Sequence, residues 1–436
     1  MNKQYINYHL PLVAALLLGA CYSVAAQAPA AAPAKAHAKS VIQIWLWGGP
    51  SQLETFDPKP DAGPDYCGPL ANPIQTNVPG IKICELLPML AQQADKYSLI
   101  RSMTHGNNGH ETASYMMQTG HSPGVGLVYP SAGAIVSYFK GYGHGYTGLI
   151  PPYVVLTELQ SRFAEEGFLG PLYKPFSTGG DPNQKIFAVD GIISATIDEQ
   201  RQKNRRQLLG ALDTLDKTMP ENPAFTEFDK PQEKAYSMIL GDGHKVFDLS
   251  QETAATRNKY GRTKFGQSCL MARRLVETGV PFVTINLGGW DTHKQHFQAM
   301  RQKLPDLDQG LSALLQDLAD RQLLDSTIVV CGGEFGRTPK ISWEAPWNGG
   351  RSHWGSCFSV LVAGGGFQGG KVVGESDDRG EYVKSRPVYP QDLIGSIFEL
   401  LGIDPDSPLP NARGLDLKVM PASNDGPGRG RLKEIM

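Results

Sequence analysis

Short, almost continuously apolar runs alternate with longer amphipathic segments along most of the chain. Val41–Trp47 is one such run, and it ends abruptly at Gly48-Gly49-Pro50, which is typical of a buried strand. Further strands are predicted over Ser98–Met103, Tyr153–Thr157, Lys185–Val189, Phe282–Leu287, Thr327–Cys331 and Phe358–Ala363. Helices are predicted over Leu86–Gln93, Glu111–Gln118, Ile197–Lys217, Thr263–Thr278, Leu304–Leu323 and Pro390–Leu401.

This alternation predicts an α/β fold. Parallel strands joined by helices form a sheet covered on both faces, so we expect a three-layer α/β/α sandwich with a mostly parallel central sheet. The stretch over 197–263 predicts a helical insertion into a single domain of residues 41–436. Because such sheets bind ligands at the carboxyl ends of their strands, functional residues are expected at that edge.

The N-terminal segment resembles an export signal. Lys3 precedes an apolar run over residues 10–20 that is too short to span a bilayer. Small residues and an Ala/Pro tract follow, so residues 1–26 are predicted to be a signal peptide and 27–40 a disordered spacer. A lipoprotein-like cleavage box before Cys21 is the alternative. We expect an exported protein of the periplasm, cell envelope or extracellular space, attached to a membrane only if Cys21 is lipidated.

Charge and cysteine content narrow the classes of partner. The 41 basic and 43 acidic side chains nearly cancel, so a nucleic-acid partner is not expected. Cys67 and Cys84 could close a short disulfide loop in an oxidising compartment. Five cysteines follow the signal peptide, and this odd number leaves at least one free thiol. None of them has the spacing of metal ligands.

The strand predicted over Phe282–Leu287 runs into a cluster of ligand-type side chains. Asp291 and His293 follow it directly, and His296 comes three residues later. One carboxylate and two imidazoles just past a strand end suit a divalent ion such as zinc. His296 could instead begin the next helix and orient a neighbouring ligand.

The strand predicted over Thr327–Cys331 also ends in chemistry. Gly332 and Gly333 let the backbone approach a ligand closely, and Glu334 follows as an acceptor. Arg337 offers a planar fork of donors for an oxyanion. An ion pair between Glu334 and Arg337 that closes a tight turn is the structural alternative.

A third motif precedes the strand predicted over Phe358–Ala363. His353 lies between glycine and aromatic neighbours, with Arg351 two residues before it. A stacked structural histidine is an alternative, but the position beside a third strand favours convergence with the other two motifs.

The N-terminal half places Thr104 at a strand end and His110 at a helix start, with a polar Gly/Asn loop between them. Free N–H groups at that helix start would favour an anion. His110 and Thr104 are the candidates for covalent or metal chemistry. Capping roles for Asn108 or Thr112 are equally consistent with the pattern.

Four motifs in order resemble one bacterial family. They are Gly-Gly-Pro-Ser-Gln-Leu-Glu-Thr-Phe-Asp-Pro-Lys-Pro from Gly48, Gly-Trp-Asp-Thr-His from Gly289, Gly-Glu-Phe-Gly-Arg-Thr-Pro from Gly333 and Gly-Arg-Ser-His-Trp from Gly350. The family is the exported domain of unknown function 1501, grouped with alkaline phosphatase-like and sulfatase-like proteins. The resemblance implies the alkaline phosphatase-like fold and a hydrolase of phosphate or sulfate esters that uses one or two metal ions.

The resemblance also assigns residues. Asp291, His293, Glu334 and His353 match the later ligand motifs of the superfamily in order. Two departures stand out: the first strand ends in glycine where the superfamily has an aspartate, and the nucleophile position falls on His110. His110 would then be a further ligand or the nucleophile.

Two hypotheses follow. The first is an exported metal-dependent hydrolase of a small-molecule or glycan ester, with Asp291, His293, His296, Glu334 and His353 as candidate metal ligands. In this hypothesis Arg337 or Arg351 holds the anionic group, and His110 or Thr104 acts in catalysis. Zinc is the expected ion, with manganese or calcium as alternatives. The second is a non-catalytic envelope binding protein that keeps the fold.

Overall fold

The computed structural model describes residues 37–124, 126–159, 165–194, 196–197, 199–212, 235–421 and 430–436. The predicted signal peptide lies outside these residues. Residues 37–40, at the end of the predicted spacer, pack on the fold. Backbone N–H groups of His37 and Ala38 donate to the carbonyl of Leu400, and Ser40 begins the first strand.

Among the described residues, eight strands form the central sheet. They are β1 (Ser40–Trp45), β2 (Tyr97–Met103), β3 (Tyr153–Leu156), β4 (Phe176–Ser177), β5 (Phe282–Asn286), β6 (Thr327–Gly332), β7 (Phe358–Ala363) and β8 (Val372–Val373). Their spatial order is β8-β2-β7-β6-β1-β5-β3-β4. Only β7 runs antiparallel to its neighbours in this sheet. Two-stranded pairs outside it join Ile74–Gln75 with Lys82–Ile83, Gly336–Arg337 with His353–Trp354, Glu375–Ser376 with Val383–Ser385, and Pro408–Leu409 with Leu417–Lys418.

Helices cover both faces of the sheet. They are α1 (Pro64–Cys67), α2 (Pro88–Ala91), α3 (His110–Thr119), α4 (Ala132–Lys140), α5 (Glu199–Leu212), α6 (Ala254–Lys259), α7 (Lys264–Glu277), α8 (His296–Asp320) and α9 (Pro390–Leu400). Apolar side chains of α2, α7 and α8 share one buried cluster, and those of α3, α4 and α9 share another. The α/β/α sandwich with a mostly parallel sheet is therefore confirmed.

The alternation along β1 explains why the sheet lies between two cores. Ile42 and Ile44 enter the first cluster, whereas Val41 and Trp45 enter the second. Successive side chains of a strand point to opposite faces, so a strand buried on both faces is apolar throughout. This is the pattern from which the strand was predicted.

Three parallel strands bring the sequence motifs to one edge. β1 lies between β5 and β6, and Trp45 pairs with Asn286 on one side and Gly332 on the other. The chain after each of these strands therefore leaves the sheet at the same edge, as the sequence predicts.

Two predictions about elements need correction, and a third falls partly outside the described residues. Lys185–Val189 is not a strand: Val189 bridges only to Ile193, and Phe176–Ser177 takes the edge position beside β3. The helix predicted from Leu304 begins earlier, at His296, and contains Pro305. Its apolar stripe extends toward the N-terminus because Phe297 and Met300 are also buried. The predicted insertion is described only in part, since residues 213–234 lie outside the described chain.

The cysteines that the structure describes are all free and buried. Cys67 and Cys84 are therefore separate thiols and do not form the disulfide that the sequence allows. Burial raises the pKa of Cys84 to about 12, so its thiol stays protonated. Within the described residues, no helix combines the length and the apolar character needed to span a membrane.

Candidate metal centre

Loops from three strands and the start of one helix meet at the carboxyl edge of the sheet. The loop after β5 carries Asp291 and His293, and the loop after β6 carries Glu334. The two-stranded pair beyond β6 sets His353 opposite Arg337. His110 arrives from the first residue of α3. Side chains distant in the sequence thus meet because the strands before them run in the same direction and end at the same edge of the sheet.

The closest approach joins Asp291, His293 and His353. Oδ1 of Asp291 lies 3.0 Å from Nε2 of His293 and 3.0 Å from Nε2 of His353. These two nitrogens are 2.9 Å apart. Nε2 of His110 lies 3.4 Å from Oδ2 of Asp291. In the group formed by His110, Asp291 and His353, one ligand atom from each lies within 4.8 Å of the others. Four candidates from the sequence therefore converge.

Hydrogen bonds on the far side of two rings fix which nitrogen faces the centre. Nδ1 of His110 donates to Oε1 of Glu334 at 2.7 Å, and Nδ1 of His353 donates to the carbonyl oxygen of Asn108 at 2.8 Å. Both acceptors lack a proton to give, so both Nδ1 atoms carry the hydrogen. In the neutral rings each Nε2 then presents a lone pair to Asp291, as metal-ligating histidines do.

This arrangement fits a bound cation. Lone pairs on His353 and a carboxylate oxygen of Asp291 repel each other at 3.0 Å unless a proton or a cation lies between them. Ligand atoms around one tetrahedral zinc at about 2.0–2.1 Å lie about 3.3 Å from one another. The observed separations are within a few tenths of an ångström of that value. The residues present therefore fit a zinc-type ion.

Charges around the centre keep its carboxylate ionised. Burial alone would raise the pKa of Asp291, but the hydrogen bond and charge of Arg337 outweigh it and lower that pKa to about 2. The bond from His110 to Glu334 raises the pKa of His110, while burial lowers the pKa of His293. The side chain of Asp291 is still 43% exposed, so a substrate can reach the centre from solvent.

Glu334 supports the centre from outside the group of ligand atoms. Its buried carboxylate accepts hydrogen bonds from Nδ1 of His110 and from the backbone N–H of Gly48, the latter at 3.0 Å. In this structure Glu334 orients His110, and direct metal binding by Glu334 stays a prediction. A side chain at position 48 is excluded, because a Cβ there would lie 2.3 Å from the backbone nitrogen of Asp291.

The two arginines proposed to hold an oxyanion are turned inward. Arg337 is fully buried and donates to Asp291 and to the carbonyls of Gly48, Gly49 and Arg351. Arg351 is 1% exposed and donates to Glu54 and to backbone carbonyls, including that of Thr338 at 2.8 Å. In this structure neither guanidinium faces the centre: Arg337 positions Asp291, and Arg351 ties loops together.

His296 also lies outside the centre. It is fully buried at the start of α8, where Nδ1 accepts from the hydroxyl of Thr292 at 2.7 Å and Nε2 donates to Oε2 of Glu54 at 2.9 Å. Both ring nitrogens have partners there, so the structure does not bring His296 to the ligand cluster. Thr104 is not brought to these side chains by any contact among the described residues; its backbone N–H donates to Val388.

Sequence reasoning missed Glu54 and the carbonyl of Asn108. Glu54 is buried and contacts both His296 and Arg351, which lie 242 and 297 residues after it in the sequence. The available signal in the sequence was an acidic residue within the Gly48 motif, and the stretch of that motif around it, Glu54 included, is buried. A backbone carbonyl carries no signal in residue identity, so Asn108 could not be found in that way.

Solved structures that are similar to this chain include enzymes of several kinds. They include the lipoteichoic acid synthase LtaP from Listeria monocytogenes (9% identity over 88% of this chain and 75% of that one, TM-score 0.40), the PsFucS1 sulfatase from Pseudoalteromonas sp. (12%, 85% and 68%, 0.35) and the alkaline phosphatase from the Antarctic bacterium TAB5 (10%, 84% and 98%, 0.36). At these scores the interpretation of the site rests on its own geometry.

The sequence comparisons identify the family. No curated protein matches the sequence significantly. The family described as "Protein of unknown function (DUF1501)" matches residues 38–425, which is most of the chain and includes each motif described above. The chain belongs to this family.

Proposed function

We propose that the protein is a metal-dependent hydrolase of phosphate, sulfate or related esters. One observation carries the proposal: ligand atoms of Asp291, His293 and His353 lie 2.9–3.0 Å apart, and the contact of Nδ1 of His353 with Asn108 leaves the lone pair of its neutral Nε2 turned to Asp291. His110 completes the set through Nε2. Three imidazoles and one carboxylate favour zinc over magnesium or calcium, which prefer oxygen ligands.

The ion would supply Lewis acidity toward an oxygen of the ester and lower the pKa of water. The chain's own residues hold the frame. Arg337 keeps Asp291 ionised and fixed, and Glu334 and Asn108 hold the rings of His110 and His353 in one tautomer. The side chain of His353 is 22% exposed, so the centre opens to solvent on one side.

The metal is tested first, on purified full-length mature protein prepared without chelators. We expect about one zinc per chain by mass spectrometry of metals, since the described residues form one cluster of ligand atoms. Asp291→Asn and His353→Ala should lose it while circular dichroism stays unchanged. His144→Gln, a change at an exposed histidine outside the centre, should keep it. Full zinc occupancy in His353→Ala would overturn the assignment.

Turnover is tested separately with para-nitrophenyl phosphate and para-nitrophenyl sulfate. Activity should disappear with a chelator, return with zinc, and be absent from Asp291→Asn. A protein that binds zinc but hydrolyses neither these nor larger esters would fail as an enzyme and leave the metal centre in place.

A non-catalytic binding protein is the second candidate function. It is favoured by the inward position of Arg337 and Arg351, which leaves both arginines unable to hold a substrate oxyanion. This alternative predicts stoichiometric metal together with saturable binding of an anionic ligand and no product. Export to the periplasm, envelope or exterior belongs to the proposal in either case, supported by the pattern of the first 26 residues.

A further inference from the structure

Two tryptophans stand in solvent on one loop beside the metal centre. Trp343 is 47% exposed and Trp347 is 38% exposed, whereas Trp45 and Trp290 are buried. Indole is the largest apolar side chain, and neighbouring exposed apolar groups mark binding surfaces more often than chance exposure. The loop over residues 342–349 therefore presents an aromatic surface.

Hydrogen bonds and stacking hold this loop in place. The backbone N–H groups of Trp347 and Asn348 donate to the carbonyl of Glu344 at 2.9 and 3.1 Å, and the carbonyl of Trp347 accepts from Gln295 at 3.1 Å. Trp343 stacks on Phe297 with ring centroids 5.8 Å apart and planes at 15°. The loop backbone and the indole of Trp343 are thus fixed before any ligand arrives, which lowers the entropic cost of binding.

The surface is continuous with the centre. The ring of Trp347 lies 6.4 Å from that of His293, whose Nε2 faces the ligand cluster. The ring of Trp47 lies 5.4 Å from that of His110. Ring contacts of 4.3 and 4.6 Å link His110 and His293 through His353. An indole therefore lies beside two of the three imidazoles of the centre.

Exposed polar residues adjoin the two indoles along the chain. Glu344, Asn348 and Lys294 are all exposed close to Trp343 and Trp347 in the sequence or through the bond to Gln295. A flat apolar surface with a polar rim matches a pyranose ring, which has a C–H face and a border of hydroxyls. A lipid tail would leave the rim without partners, and an aromatic ligand would not need it.

We propose that Trp343 and Trp347 form a subsite for pyranose rings, so that the ester substrate of the adjoining centre is a glycan. The inference rests on the proposed function for the word substrate, but the subsite itself is a binding site for sugar. Neither indole takes part in metal binding. Changing them should therefore alter recognition and leave the metal in place.

The test uses zinc-loaded full-length mature protein and calorimetric titration. The probes are maltohexaose, cellohexaose, chitohexaose and a chondroitin sulfate hexasaccharide, with inorganic sulfate and para-nitrophenyl sulfate as small probes. We expect at least one oligosaccharide to bind, and Trp347→Ala to weaken it about ten-fold, the scale of a lost aromatic contact. Trp347→Phe should recover part of this, and Leu172→Ala, a remote exposed apolar residue, should change nothing.

The outcomes separate the two proposals. If no oligosaccharide binds, or if Trp347→Ala leaves oligosaccharide binding unchanged, the subsite is refuted, while zinc content and hydrolysis of small esters still decide the enzyme. If Trp347→Ala weakens para-nitrophenyl sulfate as much as the oligosaccharide, the surface serves an aromatic ligand and the inference is refuted. Trp347-dependent sugar binding by a protein without metal supports the subsite and refutes the hydrolase.

Discussion

A buried carboxylate behind the metal centre should make the protein sensitive to acid. Glu54 is 1% exposed; Oε1 accepts from Arg351 at 2.6 Å and Oε2 accepts from His296 at 2.9 Å. Burial alone would raise its pKa, but Arg351 and His296 outweigh burial and lower the pKa from 4.5 to about 2. A depressed pKa means that the folded state favours the ionised form. This stabilisation is complete above the unfolded pKa and is lost as pH falls through the folded one.

The size of the effect follows from the two pKa values. A depression of about 2.5 pKa units corresponds to about 3 kcal/mol at neutral pH. About 2 kcal/mol of this should already be lost at pH 3, because the unfolded Glu54 is then protonated while most of the folded Glu54 is still ionised. Burial also lowers the pKa of His296, so its protonation adds an acid loss of the same sign.

The assay compares wild type with Glu54→Gln by guanidinium unfolding at pH 7 and pH 3. The variant should be less stable at pH 7 by about 3–5 kcal/mol, the cost of breaking a buried ion pair, and the gap should narrow by about 2 kcal/mol at pH 3. Asp308→Asn is the control. Burial raises the pKa of Asp308, so wild type gains stability when this group is protonated, and the stability gap between wild type and Asp308→Asn should widen at pH 3. A gap between wild type and Glu54→Gln that stays constant with pH would refute the reasoning.

Two other predictions test the frame and the export. Gly48→Ala should lose zinc and be more destabilised than Gly143→Ala: both glycines have positive φ, but a Cβ at Gly48 would meet Asp291 at 2.3 Å whereas one at Gly143 meets open space. If both variants lose the same amount of unfolding free energy, about 1–2 kcal/mol for the left-handed backbone alone, the prediction is contradicted. Mass spectrometry of the native protein should find a mature N-terminus between Cys21 and Ala28; an intact Met1 would disprove export by this signal.

The sequence predicts the sheet well because its strands are buried on both faces. Thr327–Cys331 and Phe358–Ala363 read as apolar runs and are β6 and β7 almost unchanged. Lys185–Val189 has a similar apolar pattern, and Phe187 and Val189 are buried. Its backbone nevertheless makes hydrogen bonds to the turn that follows, between Val189 and Ile193. An apolar pattern predicts that a segment is buried. It does not predict whether an unpaired strand edge lies close enough for the segment to join the sheet.

Convergence of the centre was also predictable, because parallel neighbours leave a sheet at one edge. Asp291, His293, His353 and His110 could be placed together from the strands and the helix start beside them. The direction of each side chain could not. Glu334 and His110 meet across 224 residues, and only the structure shows that Glu334 contacts the far nitrogen of the ring. Residue type gives the chemistry available, whereas burial and hydrogen bonding decide which of two compatible roles it takes.

The inward residues show why arginine and histidine in a motif mislead. Two loops at the centre alternate between a side chain that faces the ligand cluster and one that faces the interior. In the loop after β5, Asp291 faces the cluster and Thr292 faces His296; further on, His353 faces the cluster and Arg351 faces Glu54. The inward side chains of these loops therefore build a buried polar frame that fixes the side chains facing the cluster. Because an unpaired buried charge is costly, the frame forms only when all the loops are in register, and the geometry of the centre follows from that requirement.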